Sequence, residues 1–302
     1  MKQFIKKIIR MFHKEKSRHL WPFSKIVERN MAAYKRDVGH EFDINNPKTF
    51  TEKLQNYKLF YKHPDLTEII DKASFKGYIE KRLGSGNTIP MIGCYASIEE
   101  LDKAWESLPE TFILKSTVSS AALNIKAIKE KSKTDYKQLR KEIKKWFLPE
   151  NTMMNGYCTG YYGCTPKVLA EEYVSQVDNQ LYDYKIFCFD GKPFCFYTAI
   201  DHFEGVLSKI TFYDLDWNKM DVRYGEHENA EIKPPKHKQQ MLEIAKKLSD
   251  GFPFVRVDFF DTEDRLYVAE MTFYPGGGLC PYHPSSFDMQ MGDMFDWPKK
   301  GR

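Results

Sequence analysis

The chain has 302 residues, of which 42% are hydrophobic and 15% aromatic, so it is not an intrinsically disordered protein and can bury a core as one large domain or two intimate ones. The net charge is +4, but residues 1–20 hold seven Lys and Arg and one Glu, which leaves −2 for the rest and argues against general nucleic-acid binding. The six cysteines form no CxxC pair, which argues against a zinc site or a disulfide framework and favours a reducing compartment.

Residues 1–20 have the pattern of a basic amphipathic helix. Their apolar residues Phe4, Ile5, Ile8, Ile9 and Phe12 recur at helical spacing, with lysine and arginine around them. Such a helix can lie on an anionic membrane surface, and docking on the protein's own core explains the pattern equally well. It is too short and too charged to span a bilayer, and it lacks the features of a secretory signal. The sequence thus predicts a cytoplasmic protein, with peripheral contact with the inner face of the membrane left open.

The region 21–110 is predicted to be mainly helical. Periodic apolar positions favour helices over 24–36, 51–61 and 66–83, and Thr49 is placed to cap the second. A buried strand is predicted over 89–95, followed by a short helix with Ser97 as its N-cap.

The next hundred residues alternate between strands and irregular segments. A strand over 112–115 ends at Lys115 and is followed by a run of small residues, including Ser119 and Ser120. A returning strand is predicted over 124–129, a helix over 135–147 and an irregular segment over 148–165. An apolar strand over 168–174 then contains two consecutive acids, Glu171 and Glu172.

Two hairpins follow. The first has strands over 183–189 and 193–197 around Asp190-Gly191, a strong turn signal. A strand over 210–213 and a helix over 238–248 lead to the second hairpin, and the tail from residue 280 onward shows little regular pattern.

The second hairpin, within residues 254–278, holds the chemically most informative residues. Residues 254–260 alternate apolar and charged side chains, and a polar turn separates them from a second strand. This arrangement brings Asp258 and Glu270 towards each other from facing strands, beside Arg256, and on one face if the register allows it. Two carboxylates next to an arginine suit a hard divalent cation that carries phosphate oxygens. An ordinary surface hairpin with solvated charges remains an alternative.

The order of these elements resembles the ATP-grasp superfamily, and specifically its TupA-like branch of bacterial polysaccharide and teichuronopeptide biosynthesis. The resemblance covers about residues 42–295. The segments that carry it are 46–54, 71–72, 183–193, 212–217, 252–258 and 270–276. It implies an α+β ATP-grasp fold, in which two α+β subdomains grip a nucleotide, with a helical N-terminal extension. The corresponding division is a basic helix over 1–20, a helical region over 21–110, a nucleotide-binding and catalytic region over 111–295 and a tail over 296–302.

The resemblance also implies roles for individual residues, with ATP and Mg²⁺ as cofactors. Lys115 would reach the phosphates and Arg256 the developing charge, as the catalytic pair. The remaining ATP contacts would come from Ser119, Ser120, Glu171, Glu172, Tyr173, Val174 and Lys185, and the metal ligands would be Asp258, Glu270 and Thr272. For Lys185 a cross-strand pair with a carboxylate is an equally good interpretation. Thr272 stands where many ATP-grasp enzymes have Asn.

One segment departs from the family pattern. The loop after the first phosphate lysine usually contains glycines that let backbone amides close over the phosphates, but residues 117–122 contain none. This departure bears on turnover more than on the fold.

The function that the resemblance implies is an ATP- and Mg²⁺-dependent carboxylate–amine ligase of cell-surface polysaccharide biosynthesis. It would work through an acyl-phosphate and join an amino acid or amine to a uronic-acid or amino-acid carboxylate of a glycan, which could be lipid-linked. Two alternatives stay open: a glycan or sugar kinase on the same fold, and a binding or scaffold protein with weakened catalysis, which the glycine-free loop favours.

Overall fold

The computed structural model describes residues 22–119, 124–148, 158–161, 163–174, 182–200 and 208–298. The predicted basic helix over 1–20 and the predicted site residue Ser120 lie outside these ranges. Within them, no helix is long and apolar enough to cross a bilayer.

Four helices open the described chain: α1 (Phe23–Val38), α2 (Phe50–Phe60), α3 (Leu66–Ile70) and α4 (Ser74–Leu83). The single helix predicted over 66–83 is therefore wrong. The chain breaks at Asp71 because its carboxylate accepts hydrogen bonds from the backbone N–H groups of Ala73 and Ser74, both at 3.0 Å. An aspartate that bonds the backbone ahead of it starts a new helix. The break leaves Lys72 in a turn.

The first sheet has four antiparallel strands in the order β1-β4-β2-β3. Its strands are β1 (Met91–Tyr95), β2 (Phe112–Ser116), β3 (Ile125–Ile128) and β4 (Val168–Glu172). Helices α5 (Ile98–Ala104) and α6 (Tyr136–Ile143) contribute to the same buried apolar cluster, in which Phe112 and Leu114 are fully buried. Alternate residues of β2 are thus fixed inward, which leaves Lys115 on the opposite face.

The second sheet has five antiparallel strands in the order β10-β9-β5-β6-β7. The strands are β5 (Asp183–Phe189), β6 (Lys192–Ile200), β7 (Lys209–Tyr213), β9 (Phe254–Asp261) and β10 (Leu266–Thr272). Helix α7 (Lys238–Ser249) packs against β9, β5 and β6. Both predicted hairpins are confirmed by this topology.

The C-terminal part is more regular than the sequence suggested. A short strand, β11 (Tyr282–His283), pairs with β8 (Arg223–Tyr224), and helix α8 (Ser285–Met294) follows. The prediction of little regular structure after residue 280 is therefore wrong. Only Phe287 and Met291 form an apolar i, i+4 pair facing the core, so the periodic signal is weak.

Helices α2 and α8 are joined through a buried carboxylate. Thr49 caps α2 in a full capping box, which confirms that prediction. Asp288 of α8 accepts hydrogen bonds from the Thr51 backbone N–H at 2.9 Å and from its hydroxyl at 2.6 Å. These bonds satisfy N-terminal groups of α2 from a residue 237 positions away.

We expect Asp288→Asn to lower the free energy of unfolding by about 1–3 kcal/mol, because the amide cannot accept both hydrogen bonds at a buried site. Urea denaturation measures this loss. Asp293→Asn, at an exposed position of the same helix, should change stability by less than about 0.5 kcal/mol. Equal effects of the two substitutions would contradict a specific role for Asp288.

Candidate functional site

A small cleft, partly open to solvent, lies where the two sheets and helix α4 meet. The first sheet contributes Lys115 and Glu171, and the helical region contributes Lys72 and Lys76. The apolar part of the lining consists of Phe75, Ile89, Phe260, Val268 and Ala269. The cleft thus combines an apolar wall with three lysines and one carboxylate.

Glu171 is the centre of the charged wall on the first sheet. Its side chain is only 4% exposed, and it forms ion pairs with Lys115 and, at 2.5 Å, with Lys76. Burial opposes ionisation of this carboxyl, but the two lysines outweigh it and lower the pKa of Glu171. Lys115, the lysine predicted to reach the phosphates, therefore faces the cleft in an ion pair with Glu171, which is also a predicted ATP contact.

The other predicted hinge residues follow Glu171 directly. Glu172 is exposed at the end of β4, Tyr173 is 38% exposed and Val174 is half-buried. Tyr173 and Val174 lie beyond Glu172, the last residue of the strand, and the roles of all three toward adenine stay predictions. Ser119 is buried, and its hydroxyl donates to the carbonyl of Ser116 at 3.2 Å.

On the second sheet, Asp258 and Glu270 are direct cross-strand partners, which confirms the convergence predicted from the hairpin. Arg256 donates to both oxygens of Asp258, from Nε at 2.7 Å and from Nη2 at 2.6 Å. It also donates to the hydroxyl of Thr272 at 3.0 Å, and this hydroxyl donates to Glu270 at 2.9 Å. The four residues therefore form one connected polar cluster.

The charges in this cluster are coupled. Burial opposes the charge of Glu270, yet Lys72 and Arg256, with the Thr272 hydrogen bond, lower its pKa to about 2. Burial raises the pKa of Asp258, and the positive charges of Arg256 and Lys185 offset only part of this rise. The guanidinium is also disfavoured by burial, but Asp258 raises the pKa of Arg256, which is thus held protonated.

Lys72 connects this cluster to the first sheet. Its ammonium lies 3.4 Å from Glu270 and donates to the carbonyl of Ser119 at 2.7 Å, in the loop that follows Lys115. Neither Lys72 nor Lys76 was among the predicted site residues. The Asp71-Lys72 pair was part of the family pattern, and its position beside a helix start was the signal that could have identified Lys72.

Lys185 lies on β5, in register with Asp258. Its ammonium is 2.9 Å from Asp183 and 3.6 Å from Asp258. The structure therefore shows the cross-strand pair that the sequence left open. A contact between Lys185 and a nucleotide stays a prediction.

The cluster contains oxygen atoms of the kind that magnesium prefers, with both oxygens of Asp258 held by Arg256 and those of Glu270 contacted by Thr272 and Lys72, and its metal role stays a prediction. Among the described residues there is no group of three or more His, Cys, Asp or Glu side chains placed to hold a metal. Mg²⁺ needs fewer protein ligands than such a group supplies, because it keeps waters and is bound through one or two carboxylates together with phosphate oxygens. Asp258 and Glu270, with the Thr272 hydroxyl, match this donor set.

The low pKa of Glu270 predicts a pH-dependent contribution to stability. Because its folded-state pKa lies below its usual value of 4.5, ionised Glu270 stabilises the fold above that value, and the contribution is lost as the pH falls towards 2. The difference in unfolding free energy between wild type and Glu270→Gln should shrink by about 1 kcal/mol from pH 6 to pH 4 in urea titrations. A difference that does not change with pH would contradict this prediction.

Comparison with known proteins places this architecture. A family model described as TupA-like ATPgrasp matches residues 52–296. Among solved structures, an N5-carboxyaminoimidazole ribonucleotide synthetase in its ADP complex is similar, with 15% identity over 68% of this chain and a TM-score of 0.43. The D-alanine–D-alanine ligase of Bacillus anthracis is similar with 16% identity over 69% of the chain and a TM-score of 0.38. The aligned parts span 45% and 58% of those two chains. No protein of curated function matches this chain.

Proposed function

The chain belongs to the TupA-like ATP-grasp family and has its α+β fold, and from this premise we propose that it is an ATP- and Mg²⁺-dependent carboxylate–amine ligase. The finer part of the proposal is that it acts in cell-surface polysaccharide biosynthesis. There it would join an amine or amino acid to a uronic-acid or amino-acid carboxylate of a glycan.

The observation that carries the proposal is that Lys72, which lines the cleft, joins the charged groups of the two sheets. Lys72 contacts both Glu270 of the second sheet and the loop after Lys115 of the first. Lysine ammonium groups are compact point charges suited to phosphates, and the apolar lining offers a surface for a purine base. A nucleotide bound with its base in the apolar part would place its phosphates between Lys72, Lys115 and the Asp258–Glu270 pair.

Asp258, Glu270 and Thr272 would hold Mg²⁺, which when bound neutralises charge on the phosphate oxygens. The chain's own contribution is to position groups and to offset charge, because phosphoryl transfer needs little covalent chemistry from the protein. The Lys72 and Lys115 ammonium groups bind phosphate oxygens, and Glu171 orients Lys115. Arg256 offers a planar fork to the carboxylate substrate or to the developing charge.

The proposed reaction has two steps. A carboxylate oxygen attacks the γ-phosphorus of ATP, forming an acyl-phosphate and releasing ADP as the β–γ bond breaks. An amine nitrogen then attacks the acyl carbon, phosphate leaves, and the nitrogen loses a proton to give the amide. Holding both substrates in one cleft supplies the proximity that the second step needs.

Mg²⁺-dependent binding of ATP tests the proposal. We expect ATP to raise the midpoint of thermal unfolding only with Mg²⁺, and Glu270→Gln and Asp258→Asn to abolish this shift. The matched control is Glu263→Gln, an exposed acid in the turn of the same hairpin, which should keep it. Absence of any shift in wild type at millimolar Mg·ATP would overturn the ligase and kinase functions together and leave a binding or scaffold role.

Once binding is established, ADP release in screens of carboxylates with and without amines separates the two enzymatic functions. Release that requires both a carboxylate and an amine supports the ligase. Release that needs only a sugar hydroxyl would show a kinase instead.

We also propose that the protein contacts the anionic inner surface of the membrane through residues 1–20, which would give access to lipid-linked glycans. Phe23, which follows this segment closely in the sequence, is 45% exposed and packs edge-to-face on Phe60, which is 41% exposed, with ring centroids 5.6 Å apart. Exposed aromatic rings next to a basic segment suit an anionic interface.

Sedimentation with vesicles tests this contact. Wild type should bind phosphatidylglycerol vesicles but not phosphatidylcholine ones, and replacing Lys2, Lys6, Lys7 and Arg10 by Gln should remove the binding. Equal binding to both kinds of vesicle, or none to either, would contradict the proposal.

A further inference from the structure

Helix α2 carries two buried polar side chains that the proposed chemistry leaves unexplained. Gln55 and Lys58 are each fully buried. The Lys58 ammonium donates to the carbonyl of Gly277 at 2.7 Å. The Gln55 amide donates to the same carbonyl at 3.1 Å and to that of Gly278 at 2.7 Å. Both side chains thus converge on one turn, more than 200 residues away in sequence.

The turn that both side chains contact spans Pro275–Gly278 and follows strand β10, which ends at Thr272. Gly276, Gly277 and Gly278 are all left-handed, with φ of 57°, 63° and 64°. A β-carbon at Gly276 would lie 2.1 Å from the Tyr224 hydroxyl, and one at Gly278 would lie 2.6 Å from the Gln55 amide. Three consecutive glycines have little conformational preference of their own, so this geometry has to be imposed from outside.

A chain of contacts through two tyrosine rings links the turn to Arg256. Its Gly276 packs on Tyr224, and the Tyr224 ring contacts the Tyr197 ring with centroids 5.6 Å apart. The Arg256 guanidinium lies over the Tyr197 ring, 5.5 Å from its centroid. Two buried tyrosines therefore separate and brace the arginine and the glycine turn.

A buried lysine is a costly way to fill a core. Burial lowers the pKa of Lys58 to about 8, because removal from water disfavours the charged ammonium. A second lysine of the same helix offers a comparison. Lys53 donates to the carbonyls of Gly292 and Phe295 at 2.7 and 2.8 Å, which satisfies the end of helix α8. Lys53 therefore donates to the end of one helix, whereas Lys58 and Gln55 donate to the turn that is linked to Arg256 through two tyrosines.

We propose that Lys58 and Gln55 are positioning residues: they hold the Gly276–Gly278 turn and, through Tyr224 and Tyr197, set the position of Arg256 in the subsite where the carboxylate substrate meets the transferring phosphoryl group. This inference rests on the proposed ligase function. It also gives a role to helix α2 and to segment 46–54, which overlaps the start of that helix. The buried side of the helix sets the shape of a turn that follows the second sheet.

Orthovanadate with Mg·ADP tests the subsite, because vanadate resembles a phosphoryl group in transfer. Isothermal titration would measure the affinity of Mg·ADP, and then of orthovanadate for the Mg·ADP complex, in wild type, Lys58→Met, Gln55→Met and Lys53→Met. We expect both turn variants to bind vanadate at least tenfold more weakly while Mg·ADP affinity stays within twofold. Lys53→Met, the matched control, should lose thermal stability but keep vanadate affinity.

Spectra of protein labelled with ¹⁵N only at glycine report on the turn without any nucleotide. The Gly276, Gly277 and Gly278 amide resonances should shift or broaden in Lys58→Met and Gln55→Met, and stay in place in Lys53→Met. Unchanged resonances in the turn variants would overturn the positioning role, even if either variant alone were too unstable to study.

The remaining outcomes separate this inference from the function beneath it. If wild type binds Mg·ADP but not vanadate, or if Lys53→Met weakens vanadate binding as much as Lys58→Met, the subsite is overturned and the ligase function stands. If wild type binds no Mg·ADP, the ligase function and the subsite both fail, and the glycine spectra still decide whether Lys58 and Gln55 set the turn.

Discussion

Lys72→Met is expected to weaken Mg·ATP binding by about 30- to 100-fold, the largest effect of any single lysine in the cleft. Its ammonium contacts Glu270 at 3.4 Å and the Ser119 carbonyl at 2.7 Å, so it faces both sides of the proposed phosphate position. Loss of hydrogen bonds from a charged group costs about 2–3 kcal/mol, which corresponds to that range of affinity. Isothermal titration with Mg·ATP measures the change directly.

The matched control is Lys81→Met, at the far end of helix α4. Lys81 forms an exposed ion pair with Glu68 at 3.0 Å, which contributes little because solvent screens it. Its removal should leave affinity within twofold. If Lys72→Met bound Mg·ATP as tightly as Lys81→Met, the phosphates could not lie between the two sheets as proposed.

Phe50→Ala is expected to lower the free energy of unfolding by about 3–5 kcal/mol, the largest effect on stability that we predict. Phe50 is fully buried at the start of α2, and its ring meets those of Phe254, Phe187 and Phe295 with centroids 4.8–5.9 Å apart. The truncation leaves a cavity where α2 packs on the second sheet. Urea denaturation with intrinsic fluorescence gives the difference in free energy.

Phe60→Ala removes the same side chain from the other end of the same helix. Phe60 is 41% exposed, so the loss should stay below about 1 kcal/mol. Similar losses at both positions would mean that the helix contributes through its own propensity, and that its packing on the sheet matters little.

Local patterns in the sequence were enough to predict the hairpin that carries Asp258 and Glu270. Residues 254–260 alternate apolar and charged side chains, so Arg256 and Asp258 had to share a face once β9 formed. A register shift between Val268 and Glu270 then sets Glu270 opposite Asp258, whereas the register that leaves the turn would place Glu270 opposite Val257, and this shift was not predictable from the alternation. The capping residue Thr49 was predictable, since its partner Glu52 is three residues away.

The weaker predictions failed where the hydrogen bonds of a polar side chain, local or distant, outweigh the periodicity of the apolar residues. Asp71 interrupts a continuous apolar periodicity by bonding the backbone ahead of it, so one predicted helix became two. Helix α8 has little periodicity of its own and is tied to α2 through Asp288. Neither effect has a signal in the spacing of apolar residues.

The sequence by itself determined the strands of the two larger sheets and the hairpin that carries Asp258 and Glu270, because each depends on residues close together in the chain. Only the tertiary structure brought Lys72 to Glu270, Lys76 and Lys115 to Glu171, and Lys58 to Gly277. The local sequence around a lysine is the same whether its ammonium faces solvent or a carboxylate on another element. Its partner is decided by how the layers pack, since burial makes an unpaired charge costly and so selects the arrangement in which the charges meet.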